Sequence, residues 1–70
     1  MAKRLKNSIR SLRFNANEMT QSDLGDRIGV TRQTIAAIEQ GKYSPSLEGA
    51  FRIADVFGVT LDEVFSWEDE

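Results

Sequence analysis

The chain has 70 residues and contains neither cysteine nor histidine, which excludes disulfides and zinc sites built from those side chains. Its length fits one domain with a core of marginal size, leaving helix packing and association with a second copy as the sources of stability. The net charge of −2 divides unevenly: residues 1–42 hold eight basic and four acidic residues (+4), and residues 43–70 one basic and seven acidic (−6).

Such a division predicts one basic and one acidic face, and a local basic face is what attraction to phosphate requires. No apolar run approaches the roughly 20 residues of a membrane span, and the first residues have no apolar leader pattern. A cytoplasmic, nucleoid-associated protein is therefore expected.

In chain order, residues 1–7 are polar and basic through Lys3, Arg4 and Lys6, and read as a loose arm. From Ser8, Ile9 and Leu12 take up helical spacing with Arg10 and Arg13 on the other side. Asn15–Glu18 reads as a turn. Thr20 with Asp23 has the capping-box layout and opens a second helix, in which Leu24 and Ile28 share a face and which Gly29 ends. Thr31 caps a third helix over Arg32–Gln40, with Ile35 and Ile38 inward and Gly41 at its end. Lys42–Ser46 is a loop, because Pro45 disfavours helix just before it. Ser46 caps a fourth helix with Leu47, Ala50, Phe51, Ala54 and Phe57 at helical spacing, ended by Gly58. Thr60 with Glu63 repeats the capping box and starts a short fifth helix containing Leu61, Val64 and Phe65. Residues 66–70 form a tail with Trp67 as an apolar anchor, acidic over 68–70. No strand pattern stands out, so the expected fold is all-α: a domain over 8–67 between a basic arm and an acidic tail.

Gln21–Gln40, QSDLGDRIGVTRQTIAAIEQ, joins two helices by a turn of about three residues with glycine at its head, the layout of a helix-turn-helix. Gly25 lies inside the second helix, where glycine costs about 1 kcal/mol against alanine. Its reason is expected to be a close crossing of the second and third helices. If Leu24, Ile28, Val30, Ile35 and Ile38 face inward, then Arg32, Gln33, Thr34 and Ala37 face outward.

This spacing resembles the helix-turn-helix of the Cro and phage-repressor family, also called the xenobiotic-response-element family. The shared features are an apolar residue at Leu24, a tiny one at Gly25, glycine at Gly29 and apolar residues at Val30, Ile35 and Ile38. The likeness runs from about Ile9 to Trp67 and is similar to the short single-domain members, including the small cytolysin repressor. Two departures stand out. Gly25 replaces the alanine of most relatives, and the turn before Met19 is about one residue longer than in the shortest ones.

The resemblance implies a five-helix, lambda-repressor-like DNA-binding domain and a transcriptional regulator, a repressor acting as a homodimer on a palindromic operator. The third helix would enter the major groove by its N-terminal end. There Arg32 suits guanine, Gln33 suits adenine, and Thr34 and the Ala37 methyl suit a thymine methyl. Gln21, at a helix N-terminus, is assigned a phosphate contact by the resemblance. Thr31, Lys42, Tyr43, Ser44, Arg10 and Arg13 are further phosphate candidates. Tyr43 has a second reading, packing against Pro45, and Arg10 and Arg13 one as ordinary surface. Glu39 reads as structural, paired with a nearby arginine. Val64, Phe65 and Trp67 are candidates for the dimer interface, with completion of the core as the other reading of the two aromatics.

No enzyme, cofactor, metal or small-molecule ligand is expected. Histidine, cysteine and a glycine-rich phosphate loop are lacking, and the carboxylates sit at caps or in the tail. The competing class is a partner-binding module, antitoxin-like or coactivator-like, on the same fold.

Overall fold

Ile9, Leu24, Ile35, Ile53 and Val64 are the largest fully buried side chains, and each comes from a different helix. Each such burial contributes about 2 kcal/mol. In the computed structural model, which describes residues 3–69, the elements follow the order β1 (Lys3–Asn7), α1 (Ile9–Asn15), α2 (Gln21–Ile28), α3 (Arg32–Glu39), α4 (Leu47–Phe57), α5 (Leu61–Val64) and β2 (Phe65–Asp69). Ile28, Ile38 and Ala54 complete the buried cluster, with Leu12, Met19, Val30, Val56, Phe57, Val59 and Phe65 packed around it.

Local chemistry sets the helix boundaries where the sequence places them. At α2, Thr20 Oγ1 accepts from the Asp23 backbone N at 3.0 Å, and Asp23 Oδ2 accepts from the Thr20 backbone N at 3.2 Å. Thr31 Oγ1 accepts from Thr34 N at 3.1 Å, and Ser46 Oγ from Gly49 N at 3.0 Å. The turn after α1 carries two left-handed residues in succession, Asn17 (φ 61°) and Glu18 (φ 56°). At Thr60 the expected box does not form, because the side chain makes no capping hydrogen bond.

The larger difference lies at the chain ends. β1 and β2 pair antiparallel, with Lys3 opposite Asp69, Arg4 opposite Glu68, Leu5 opposite Trp67, Lys6 opposite Ser66 and Asn7 opposite Phe65. The five expected helices are present, and a two-stranded sheet is added to the mostly helical fold. Lys3–Asn7 is a strand rather than a loose arm, and Phe65 leaves the fifth helix with extended backbone (φ −121°, ψ 143°) to begin β2. Glu68 and Asp69 belong to β2, while Met1, Ala2 and Glu70 of the expected arm and tail lie outside the described residues.

Alternation along the strands gives the sheet two unlike faces. Leu5 and Asn7 share a face with Phe65 and Trp67; Arg4 and Lys6 share the other with Ser66 and Glu68. The basic start and acidic end therefore do not form separate surfaces here, since their charges face each other across the ladder. Directly opposed opposite charges contribute roughly 0.2–1 kcal/mol per pair. A backbone bond from Ser8 N to the Val64 carbonyl, 2.9 Å, fastens the start of α1 beside the end of α5.

Candidate nucleic-acid interface

The angle between α2 and α3 is set by backbone. Gly29 closes α2 in the left-handed region (φ 82°), which suits glycine. The N–H groups of Gly29 and Val30 both donate to the Gly25 carbonyl, at 2.8 and 2.9 Å. A Cβ built on Gly25 would lie 2.6 Å from the Val30 carbonyl oxygen and 3.3 Å from two backbone atoms of Thr31. The close approach expected at Gly25 is therefore present, but the neighbour is the turn itself rather than the body of α3.

Ile35 and Ile38 press α3 onto the core. Arg32 and Gln33 are left exposed, with Thr34 and Ala37 half-buried beside them. The outward side of the first turn of α3 is thus formed chiefly by Arg32 and Gln33. The hydroxyls of Thr31 and Thr34 also lie 3.0 Å apart, within hydrogen-bonding reach.

Behind this surface runs a polar network through three helices. Arg13 holds Glu39 in a two-pronged pair: Nε donates to Oε2 at 2.7 Å and Nη2 to Oε1 at 3.1 Å. Arg13 Nη1 donates to the Met19 carbonyl at 2.8 Å. Gln21 Nε2 donates to Glu39 Oε1 at 3.2 Å, and Arg32 Nη1 reaches Gln21 Oε1 at 3.5 Å. A carboxylate only accepts, so it holds the nitrogen end of the Gln21 amide inward and leaves the oxygen end towards Arg32. Among the described residues Nε2 makes no second hydrogen bond.

This network reassigns Arg13. The Arg13 and Glu39 side chains are only 14% and 9% exposed, so Arg13 belongs to an internal ion pair rather than to a set of free phosphate-binding cations. The pairing read for Glu39 is present in that bond. Arg10 is exposed and lines the same polar cleft as Gln21, Glu39 and Gln40. Lys42, Tyr43 and Ser44 follow α3 as an exposed stretch, and Tyr43 at 56% exposure is not buried against Pro45. Val64, 1% exposed, is a core residue and is corrected out of the outer apolar surface. Phe65 packs partly against the core, whereas Trp67 is 63% exposed.

The acidity of Asp23 departs clearly from normal. The hydrogen bond from the Thr20 backbone, then that from the Thr20 hydroxyl, holds its carboxyl below the usual carboxylate range, with nearby Arg27 adding to the effect. Among the described residues no cluster of three or more potential metal ligands occurs, and no helix is long and apolar enough to cross a membrane.

The helix-turn-helix family model matches residues 9–64, the span of α1 to α5. The chain belongs to this family. It is 50% identical over 66 residues to an uncharacterized HTH-type transcriptional regulator of Methanocaldococcus jannaschii, covering 94% of this chain and 98% of that one. It is 36% identical over 58 residues to the cryptic phage CTXphi transcriptional repressor RstR of Vibrio cholerae, covering 83% of this chain and 51% of the relative. The crystal structure of a candidate DNA-binding protein from Bacteroides fragilis shares the fold, with a TM-score of 0.75 at 21% identity over 89% of this chain and 98% of that one. The helix-turn-helix protein is thus a DNA-binding transcriptional regulator and not an enzyme.

Two features escaped the sequence. One is the sheet, whose signal in β2 is a short alternation, Phe65 and Trp67 with Ser66 and Glu68. The other is Asn7, which lies in the supposed arm yet bonds the end of α3. Lys3–Asn7 has a single apolar residue, too few to show a period.

Proposed function

We propose that this helix-turn-helix protein is a cytoplasmic repressor that binds a palindromic operator as a homodimer, each copy laying the start of α3 in the major groove. The observation that carries the reading is the exposed first turn of α3, held from behind by Ile35 and Ile38. In this reading Arg32, Gln33, Thr34 and Ala37 meet base edges. Gln21, Thr31, Lys42, Tyr43, Ser44 and Arg10 meet phosphates through side chains or the free N–H groups of helix starts. The kinship with a phage repressor supports repression, since a dimer seated on a promoter needs no further activity to block it.

Two copies are needed because one helix contacts only a few base pairs. A twofold axis places two such helices about one DNA turn apart, ~34 Å. The apolar face of the sheet supplies a surface for self-association. Leu5, Phe65 and Trp67 continue there into Leu61, Leu47 and Pro45, and Leu47 is itself largely exposed.

Selection of random duplexes by the purified protein, with the selected site then measured over a salt series, tests the reading. A palindrome should be recovered, and affinity should fall by nearly one log unit per log unit of salt for each phosphate contact. Arg32→Ala should cost about 1–3 kcal/mol and relax the preference at one position per half-site. A salt-independent response, or no enriched sequence, defeats the reading in favour of a protein-binding module.

A further inference from the structure

Asn7 is the last residue of β1 and lies opposite Phe65 in the ladder. Its half-buried side chain is used at both ends. Oδ1 accepts from Ile9 N at 3.1 Å, one of the early N–H donors of α1 that no helical carbonyl reaches. Nδ2 donates to the Ile38 carbonyl at 3.0 Å, in the last turn of α3. That carbonyl also takes the Gly41 N–H at 3.0 Å, so the end of α3 is fastened from two directions. One planar amide thus ties the sheet and α1 to the helix whose opposite end carries Arg32, Gln33 and Thr34.

Apolar packing at Ile35 and Ile38 fixes how deeply α3 sits, but it is non-directional. The Asn7 bond adds direction at one end of a short lever. At eight residues α3 is about 12 Å long, so a tilt of about 10° moves one end relative to the other by about 2 Å. In two copies such displacements combine to rival the base-pair step of about 3.4 Å.

We infer that Asn7 is a positioning residue: it locks the direction of α3 to the sheet, and so sets the half-site spacing that two copies joined through their sheets can read. The inference rests on the dimeric reading above and adds to it the residue that makes spacing rigid. Asn7→Asp separates the two bonds. It keeps an acceptor for Ile9 N, loses the donor to α3, and sets a carboxylate against the Ile38 carbonyl. Asn7→Ala also loses the donor without that repulsion, and carries the test if the aspartate variant does not fold.

The experiment measures Kd for the palindrome selected by the unaltered protein, for the same duplex with one base pair inserted at its centre, and for a single half-site. The unaltered protein should lose affinity on insertion. In the variants that penalty should shrink by about two- to tenfold, the worth of one hydrogen bond, while half-site affinity stays within about twofold. An unaltered protein indifferent to the insertion removes the dimeric reading, and this inference with it. A sensitive protein whose variants are equally sensitive, or lose half-site affinity in step, overturns the inference alone.

Discussion

The α2–α3 pair and the two-stranded sheet are held by opposite means. In α2 and α3 the decisive bonds are local: Thr20 with Asp23, Thr31 with Thr34, and Gly25 with Gly29 and Val30. Each spans only a few residues, so the unit's shape is specified by adjacent chemistry. The sheet joins the two ends of the described chain, so its partners lie far apart in sequence, with all five helices between them. Its register sets opposite charges across the ladder, and Ser8 and Asn7 fasten it to the helices. The comparison teaches that the shape of the surface proposed to meet DNA is locally determined, whereas the bonds that tie it to the rest of the molecule are long-range.

The largest expected effect falls where α3 meets α1. Glu39→Ala leaves the mostly buried Arg13 guanidinium without its carboxylate and should cost about 3 kcal/mol in a urea titration. A loss below about 1 kcal/mol would place the strength of the unit in its apolar contacts instead. Next comes Gly25→Ala. The added methyl must displace the Val30 carbonyl, an overpacking cost of about 1–3 kcal/mol against a helix-propensity gain of about 1 kcal/mol. A net loss of about 1 kcal/mol, or a Tm lower by about 4–8 °C, is expected. An unchanged or higher Tm would mean that the turn yields freely and does not fix the angle.

The sheet should respond more weakly. Glu68→Lys sets a cation directly opposite Arg4 and should destabilise by roughly 0.2–1 kcal/mol, recovered in part when Arg4→Glu is added. Equal stability of the single and double variants would show that these charges do not support the register. The smallest effect is at Asp23. Its carboxyl is more acidic folded than unfolded, so its contribution is present above the unfolded value and is lost as pH falls through the folded one. Tm followed downward from about pH 5 should therefore fall more steeply for the natural protein than for Asp23→Asn, with the difference opening below about pH 4. Parallel curves would remove the carboxylate from the cap.

How far the fold could be read from the sequence follows the same division. Helix starts at Thr20, Thr31 and Ser46, the turn at Gly29 and the inward isoleucines were legible because each signal lies within one or two helical turns. Arg13 misled because its partner, Glu39, lies far along the chain; the acid foretold a pair but not which base. Val64 misled because a four-residue helix shows too little period to tell inward from outward. The sheet was hidden because β1 has only Leu5 as an apolar residue, and the charges that match it lie at the far end.

With Lys3 set against Asp69, the two ends of the described segment lie side by side. A short linker from Asp69 to Lys3 would make that segment a ring, and the opening could then move to the exposed stretch at Tyr43 and Ser44 without parting any helix from its neighbours. What the ladder conserves is adjacency: the order in which this segment is threaded matters less than the meeting of Lys3 with Asp69.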